Sequence, residues 1–197
     1  MNRLSKQIQF IVEIDKLKQI IRQTVLMDRS RPENSAEHSW HLALLAIVLS
    51  EYADARQLDT QRVLKMVLIH DLVEIDAGDT FCYNQDPDIA VRQKDREKEA
   101  AERIFNLLPE DQAAELKALW EEFEGAATSE SRFARALDRL QPILHNYMTR
   151  GMAWRKHGIH KSQVLERNQP IEEGSGALWS FAKAIIDEAV EKGYLLP

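Results

Sequence analysis

His70 and Asp71 stand side by side in the stretch Val63-Leu64-Lys65-Met66-Val67-Leu68-Ile69-His70-Asp71-Leu72-Val73-Glu74-Ile75-Asp76-Ala77-Gly78-Asp79-Thr80. An imidazole and a carboxylate follow a run of mostly apolar residues that reads as a helix. Burying even a neutral polar group without a partner costs about 2–7 kcal/mol. A borderline divalent cation supplies the partner, because it takes imidazole nitrogen and carboxylate oxygen together. The helical period returns Glu74 to the same face as both residues. Gly78 permits a tight turn, and Asp79 follows it. A core histidine beside a capping or salt-bridged aspartate gives the same local pattern, so the metal reading requires further ligands elsewhere.

Three other places supply candidates. His38 and His41 lie three apart in Glu37-His38-Ser39-Trp40-His41, on the first turn of a second helix. Both can be ligands, or one a ligand and the other a substrate-facing or packed core residue. Asp138 falls between Leu137 and Leu140, an apolar setting that favours burial and hence a partner; an exposed pair with Arg135 is the alternative. Pro142, four residues on, deprives the Asp138 carbonyl of its helical N–H partner, so a kink is expected. Trp154 to Lys161 is basic and aromatic, either closing over an anion or forming a surface loop around a packed Trp154. The lone cysteine, Cys82, reads as a small buried thiol rather than a nucleophile.

The elements that must position these groups are helical. Apolar residues three or four apart, from Leu4 to Val25, predict a first helix over residues 4 to about 27, with Arg22 near its end. Pro32 breaks the chain and Ser35 is the expected cap of the second helix. Asp59 or Thr60 caps the third, Pro109 opens the fifth, and Thr128 or Ser129 opens the sixth. The fourth, from about Asp88 to Leu108, carries the mixed-charge run Arg92–Glu99, which reads as a solvated face. Phe81 to Pro87 reads as a loop forming one wall of a pocket. A last helix spans about Ala177 to Lys192.

Composition narrows the classes. The chain has 197 residues, of which 44% are hydrophobic and 29% charged, enough for one sizeable core. Seven glycines and six prolines suit long helices better than a many-turned all-β fold. No phosphate-cradling glycine loop is present. A net charge of −6 disfavours long nucleic acid but permits a small phosphorylated ligand. No run approaches the roughly 18 apolar residues that cross a membrane. One cysteine and no apolar signal core make the cytoplasm the expected compartment.

His38, His70–Asp71 and Asp138 come from three separate helices in the order H…HD…D. This resembles the HD-domain metal-dependent phosphohydrolases, and within them the 5′-deoxynucleotidase group. Arg31-Pro32-Glu33-Asn34-Ser35-Ala36-Glu37-His38-Ser39 resembles that group's R-x-E-N-x-x-E-H-S signature. His70 to Asp79 resembles its H-D-x-x-E-x-x-x-G-D signature, and Leu137-Asp138-Arg139-Leu140 sits where the final aspartate belongs.

The resemblance implies an all-α HD-domain helical bundle of about six to eight helices. It would be a single domain over 1–197, with a metal-binding core at about 15–150 and a helical extension at 151–197. One divalent transition metal ion (Mn, Co, Fe, Ni or Zn) would be bound by His38, His70, Asp71 and Asp138. The implied activity is hydrolysis of nucleoside 5′-monophosphates by a homodimer. Glu74 and Asp79 match the positions that place the water and handle protons, and Arg22 matches an arginine reaching sugar and phosphate. His41 and Lys161 are further candidates to offset phosphate charge. The bacterial members have tryptophan after that arginine, whereas this chain has Gln23-Thr24. The alternatives are a phosphohydrolase for another small phosphate ester and a non-catalytic metal- or nucleotide-binding module.

Overall fold

The structure is a computed structural model that describes residues 2–83 and 87–197. Chain order is α1 (Arg3–Ile14), a 3-10 turn, β1 (Ile21–Val25), β2 (Pro32–Asn34), α2 (Ser35–Leu49), α3 (Thr60–Ile69), a 3-10 turn (His70–Val73) and α4 (Glu74–Ala77). Then follow α5 (Pro87–Phe105), α6 (Glu110–Gly125), α7 (Ser129–Met148), α8 (Met152–Lys156), α9 (Lys161–Asn168), α10 (Ile171–Gly174) and α11 (Gly176–Glu191). The all-α expectation holds. Among the described residues, none of the helices is long and apolar enough to cross a membrane.

The helices of the middle of the chain start where their caps predict. Asp59 caps α3 by accepting the Arg62 N–H, Pro109 precedes α6, and Thr128 caps α7 through a reciprocal bond with Ser131. α7 is the spine of the molecule, packed against α2, α3, α6, α10 and α11. Its Phe133, Ala134, Leu137 and Leu140 are buried with Leu42, Val63, Met66 and Val67 in one apolar cluster that extends from Phe10 to Leu195. Pro142 lies inside α7, and the helix runs on through it to Met148.

The first helix is shorter than its apolar spacing predicts. It ends at Ile14, passes through a 3-10 turn at Asp15–Gln19, and gives way to β1. The β-branched residues Ile20, Ile21, Thr24 and Val25 favour extended backbone. β1 pairs antiparallel with β2, Ile21 opposite Asn34 and Val25 opposite Pro32. Arg22 therefore projects from a strand rather than from a helix end. The second helix is capped by Asn34, not by Ser35. Residues 84–86 of the expected pocket-wall loop lie outside the described residues.

Gly151 shows how the C-terminal segment closes on α7. Its φ is +72°, and a Cβ there would stand 1.8 Å from the Tyr194 carbonyl oxygen. Gly151→Ala combines a left-handed backbone cost with an overpacked contact, for a loss of about 2–4 kcal/mol. Urea unfolding should show the midpoint shifted down accordingly; an unchanged midpoint would contradict this packing.

Candidate active site

The segment from Arg31 to His38 divides its work between folding and chemistry. Asn34 accepts the Glu37 N–H at 2.9 Å, and the Glu37 carboxylate accepts the Asn34 N–H at 3.2 Å. Arg31 donates to Glu37 at 2.8 Å. This box sets the start of α2 and turns Ser35 and His38 inward, both fully buried. At the far end of α3 the helix tightens into its 3-10 turn at His70. His70 Nδ1 donates to the Val67 carbonyl at 2.9 Å, which leaves Nε2 with the lone pair in a neutral ring.

Four side chains from α2, the 3-10 turn and α7 converge. His38 Nε2 is 3.0 Å from Asp138 Oδ1, and His70 Nε2 is 3.0 Å from Asp71 Oδ1 and 3.7 Å from Asp138 Oδ1. His38 Nε2 lies 3.9 Å from Asp71 Oδ2. His70 Nε2 is buried with no hydrogen-bond partner among the described residues. With its Nδ1 proton given to Val67, His70 Nε2 is an acceptor facing the carboxylate oxygens of Asp71 and Asp138, so this side of the cluster requires a cation or an added proton. The His70 value shows the demand: burial opposes the imidazolium, yet Asp71 and Asp138 hold it well above the ordinary histidine value. Asp138 is held well below the usual carboxylate range against its burial, by His38 and His70. Asp71, likewise opposing burial, is pulled to about 2 by His70 and Arg22. Two imidazoles and two carboxylates suit a divalent transition metal, and the orphaned His70 nitrogen fits one.

Arg22 reaches the cluster from β1, donating to Asp71 Oδ2 at 2.8 Å and lying 3.9 Å from Glu74 Oε1. Burial opposes its charge, but Asp71 and Glu74 raise its pKa. Glu74 accepts the Ser35 hydroxyl at 2.6 Å. Burial first and the Asp71 charge second push Glu74 well above the usual range, with Arg22 opposing. Asp79, set beyond Gly78 at φ +75°, is raised by burial, again with Arg22 opposing. Arg22, His70, Asp71, Glu74, Asp79 and Asp138 all line one cavity of about 440 Å³. Phe81, Tyr83 and Trp154 add aromatic surface, and Lys94, Arg139 and Arg167 add cations.

Other expected residues are placed elsewhere. His41 does not line this cavity; it faces His145, 3.4 Å from its Nε2, and burial with that neighbour lowers its pKa. Lys161 opens α9, and its Nζ is 2.8 Å from Asp187 Oδ1, so it is spent on an ion pair outside the cavity lining. Trp154 is buried and reaches the cavity wall, while Lys156 and His157 meet the Gln23 side chain, each at 3.3 Å. Cys82 is exposed, not buried. Arg135 is not paired with Asp138; it donates to the Phe123 and Glu124 carbonyls. The charged run of α5 is only partly a solvated face: Gln93, Lys94 and Glu97 line the cavity, and Gln93 donates to the Gly78 carbonyl at 3.1 Å. Sequence reasoning passed over Ser35 and Gln93, and also Glu33, Gln141 and His145. His145 carried a signal, since positions 138, 141 and 145 share one face of α7.

A family model described as HD domain matches residues 14–179. The solved structure of a predicted metal-dependent phosphohydrolase from Magnetospirillum magnetotacticum is 53% identical, with a TM-score of 0.94, over 99% of this chain and 96% of that one. The 5′-deoxynucleotidase HDDC2 of Homo sapiens is 33% identical over 138 residues, 70% of this chain and 65% of that protein. The match thus spans just under two thirds of that relative's length. A conserved hypothetical protein from Pyrococcus furiosus shares the fold at 24% identity and a TM-score of 0.64.

Arg22→Ala removes the cation between Asp71 and Glu74. In EDTA-treated protein the variant should lose about 1–3 kcal/mol of stability, the cost of leaving a buried charged group without its partner. Denaturant titration checks this, and equal midpoints for variant and parent would refute the role.

Proposed function

The chain belongs to the HD domain family, and on that premise we propose that it is a metal-dependent phosphomonoesterase acting on nucleoside 5′-monophosphates. The observation that carries the reading is one cavity lined by His70, Asp71, Asp138, Glu74, Asp79 and Arg22, with the buried His38 set behind Asp138 at 3.0 Å. The cavity volume falls within the range of about 300–1,000 Å³ that small-molecule sites occupy. The name of the human relative, a 5′-deoxynucleotidase, supports the substrate class.

His38, His70, Asp71 and Asp138 would hold the ion. When bound, such an ion lowers the pKa of water and offsets phosphate charge. Glu74, held by Ser35, takes a proton from the attacking water. Its raised pKa brings the carboxylate toward the range where a general base works at neutral pH. As the water oxygen bonds to phosphorus, the bond from phosphorus to the 5′ oxygen breaks. Asp79, whose burial favours its protonated form, delivers a proton to that oxygen. Arg22 offers guanidinium donors to the phosphate, which the carboxylates alone would repel. Residues 1–197 would act as a single HD domain. Exposed apolar side chains on α1 (Leu4, Ile8, Ile11) and α2 (Ile47, Val48) support a homodimer. The single cysteine supports the cytoplasm as its compartment.

The test is phosphate release from paired ribo- and deoxyribonucleoside 5′-monophosphates with Mn or Co. Asp71→Ala and Asp138→Ala should lose the ion held by His38, His70, Asp71 and Asp138 together with activity, since each removes a charged ligand. Release from both sugars, with Gln23 in place of the tryptophan, would mean a broad nucleotidase; release from the deoxy set alone would mean a deoxynucleotidase. Silence on both sets with metal bound would refute the substrate class. Glu74→Gln should keep the metal and lose about 100-fold or more in rate, the typical contribution of a positioned base. Normal turnover by that variant would refute the base assignment.

A further inference from the structure

A second group of metal-ligating side chains lies outside the cavity lining. Glu33 on β2, His41 on α2 and His145 on α7 bring ligand atoms within 4.8 Å of one another. Glu33 and His145 are buried, and His41 is half-buried. His145 Nδ1 donates to the Val25 carbonyl at 3.0 Å, so the neutral ring turns its Nε2 lone pair into the group. This is the orientation that His70 adopts in the first cluster.

Gln141, fully buried one helical turn before His145, makes the group unusual. Its amide nitrogen lies 2.6 Å from Glu33 Oε1, 2.9 Å from His145 Nε2 and 3.5 Å from His41 Nδ1. Its amide oxygen is buried and has no hydrogen-bond partner among the described residues. The two ends of a glutamine amide have the same shape, and only the surrounding network distinguishes them. Neither orientation satisfies the site with hydrogen bonds alone. With nitrogen inward, the oxygen is stranded in the core. With oxygen inward, it meets a carboxylate and a ring lone pair, which are acceptors as well. A cation satisfies the inner side of the second arrangement, with the amide nitrogen turned to the place the oxygen now holds.

We propose that Glu33, His41, His145 and the amide oxygen of Gln141 bind a second divalent transition-metal ion. Donors held at about 2.0–2.2 Å from one ion stand about 3–3.6 Å apart at tetrahedral or octahedral angles. The His41 Nδ1 to His145 Nε2 distance is 3.4 Å and the Glu33 Oε1 to His145 Nε2 distance is 3.7 Å, near that range; the inward Gln141 amide atom, 2.6 Å from Glu33 Oε1 and 2.9 Å from His145 Nε2, has to move outward to admit the ion. Two imidazoles, a carboxylate and an amide oxygen match zinc, cobalt, iron or manganese better than calcium or magnesium. The ion positions the first cluster through Glu33. The other carboxylate oxygen of Glu33 accepts from Thr24 at 3.1 Å and stands 3.8 Å from His38 Nδ1, on the back of that ligand ring. An ion on Oε1 would orient Oε2 toward His38, the outer partner that orients a ligating histidine.

The experiment is metal counting on the full chain, stripped with chelator, reloaded with Co²⁺ and desalted, together with anomalous diffraction at the cobalt edge. The wild type should hold two ions per chain, with one anomalous peak among Glu33, His41, Gln141 and His145. His41→Ala should hold one, with circular dichroism and melting confirming its fold; the half-buried position tolerates truncation. Asp138→Ala should also hold one and keep the second peak. A single wild-type peak at His38 and Asp138, or two ions retained in His41→Ala, overturns the proposal and leaves the proposed function standing. A single peak in the Glu33 group supports this site and removes the metal from the proposed function. If His41→Ala does not fold, the wild-type map decides alone.

Discussion

Concentrated negative charge inside the bundle is the constraint on which the rest of the structure depends. Asp71, Glu74, Asp79 and Asp138 line one cavity, and their mutual repulsion in a low-dielectric setting has to be met by cations. Arg22 meets Asp71 directly, the raised His70 imidazole stands beside Asp71 and Asp138, and Lys94, Arg139 and Arg167 lie in the same lining. The opposed directions of the pKa values record the shortage. Asp71 and Asp138 stay ionised beside the imidazoles, whereas Glu74 and Asp79 are pushed toward the neutral form. Groups whose environments drive them apart in this way suit division into ligands on one side and proton carriers on the other.

The surrounding architecture follows from holding these groups in place. α7 must be buried on its apolar face to carry Asp138 inward, and α2, α3, α6, α8, α10 and α11 all pack on it. The capping box at Asn34 and Glu37 sets the phase of α2, so that His38 and Ser35 both face the interior. The tightened turn after Ile69 aims His70 and Asp71 together, and the left-handed Gly78 lets the chain reverse before Asp79. A helix interrupted at this point serves the chemistry at the cost of regular backbone bonding.

Polar groups on the back of the site are organised by a second set of contacts. Glu33 faces His38 and Arg22 with one oxygen and Gln141 and His145 with the other. It ties the hairpin to α7, and the Thr24 hydroxyl on β1 also donates to it. The hairpin is therefore part of the site's support as well as the carrier of Arg22.

Much of this was legible in the order of residues alone. Apolar periodicity and capping residues located α3, α6, α7 and α11 closely, because both are properties of neighbours a few positions apart. The polar intrusions at His70 and Asp138 stood out because each interrupts an apolar face. Tertiary structure decided the rest. Ile14, Leu17, Ile20 and Ile21 keep a helical spacing, yet pairing with Pro32–Asn34 makes residues 21–25 a strand and sends Arg22 to Asp71. Lys161 meets Asp187, His41 meets His145, and Gln93 on a charged helix meets Gly78. The physical reason is range: periodicity states which residues of an element face inward, whereas the partner each one finds there depends on how elements distant in sequence pack together.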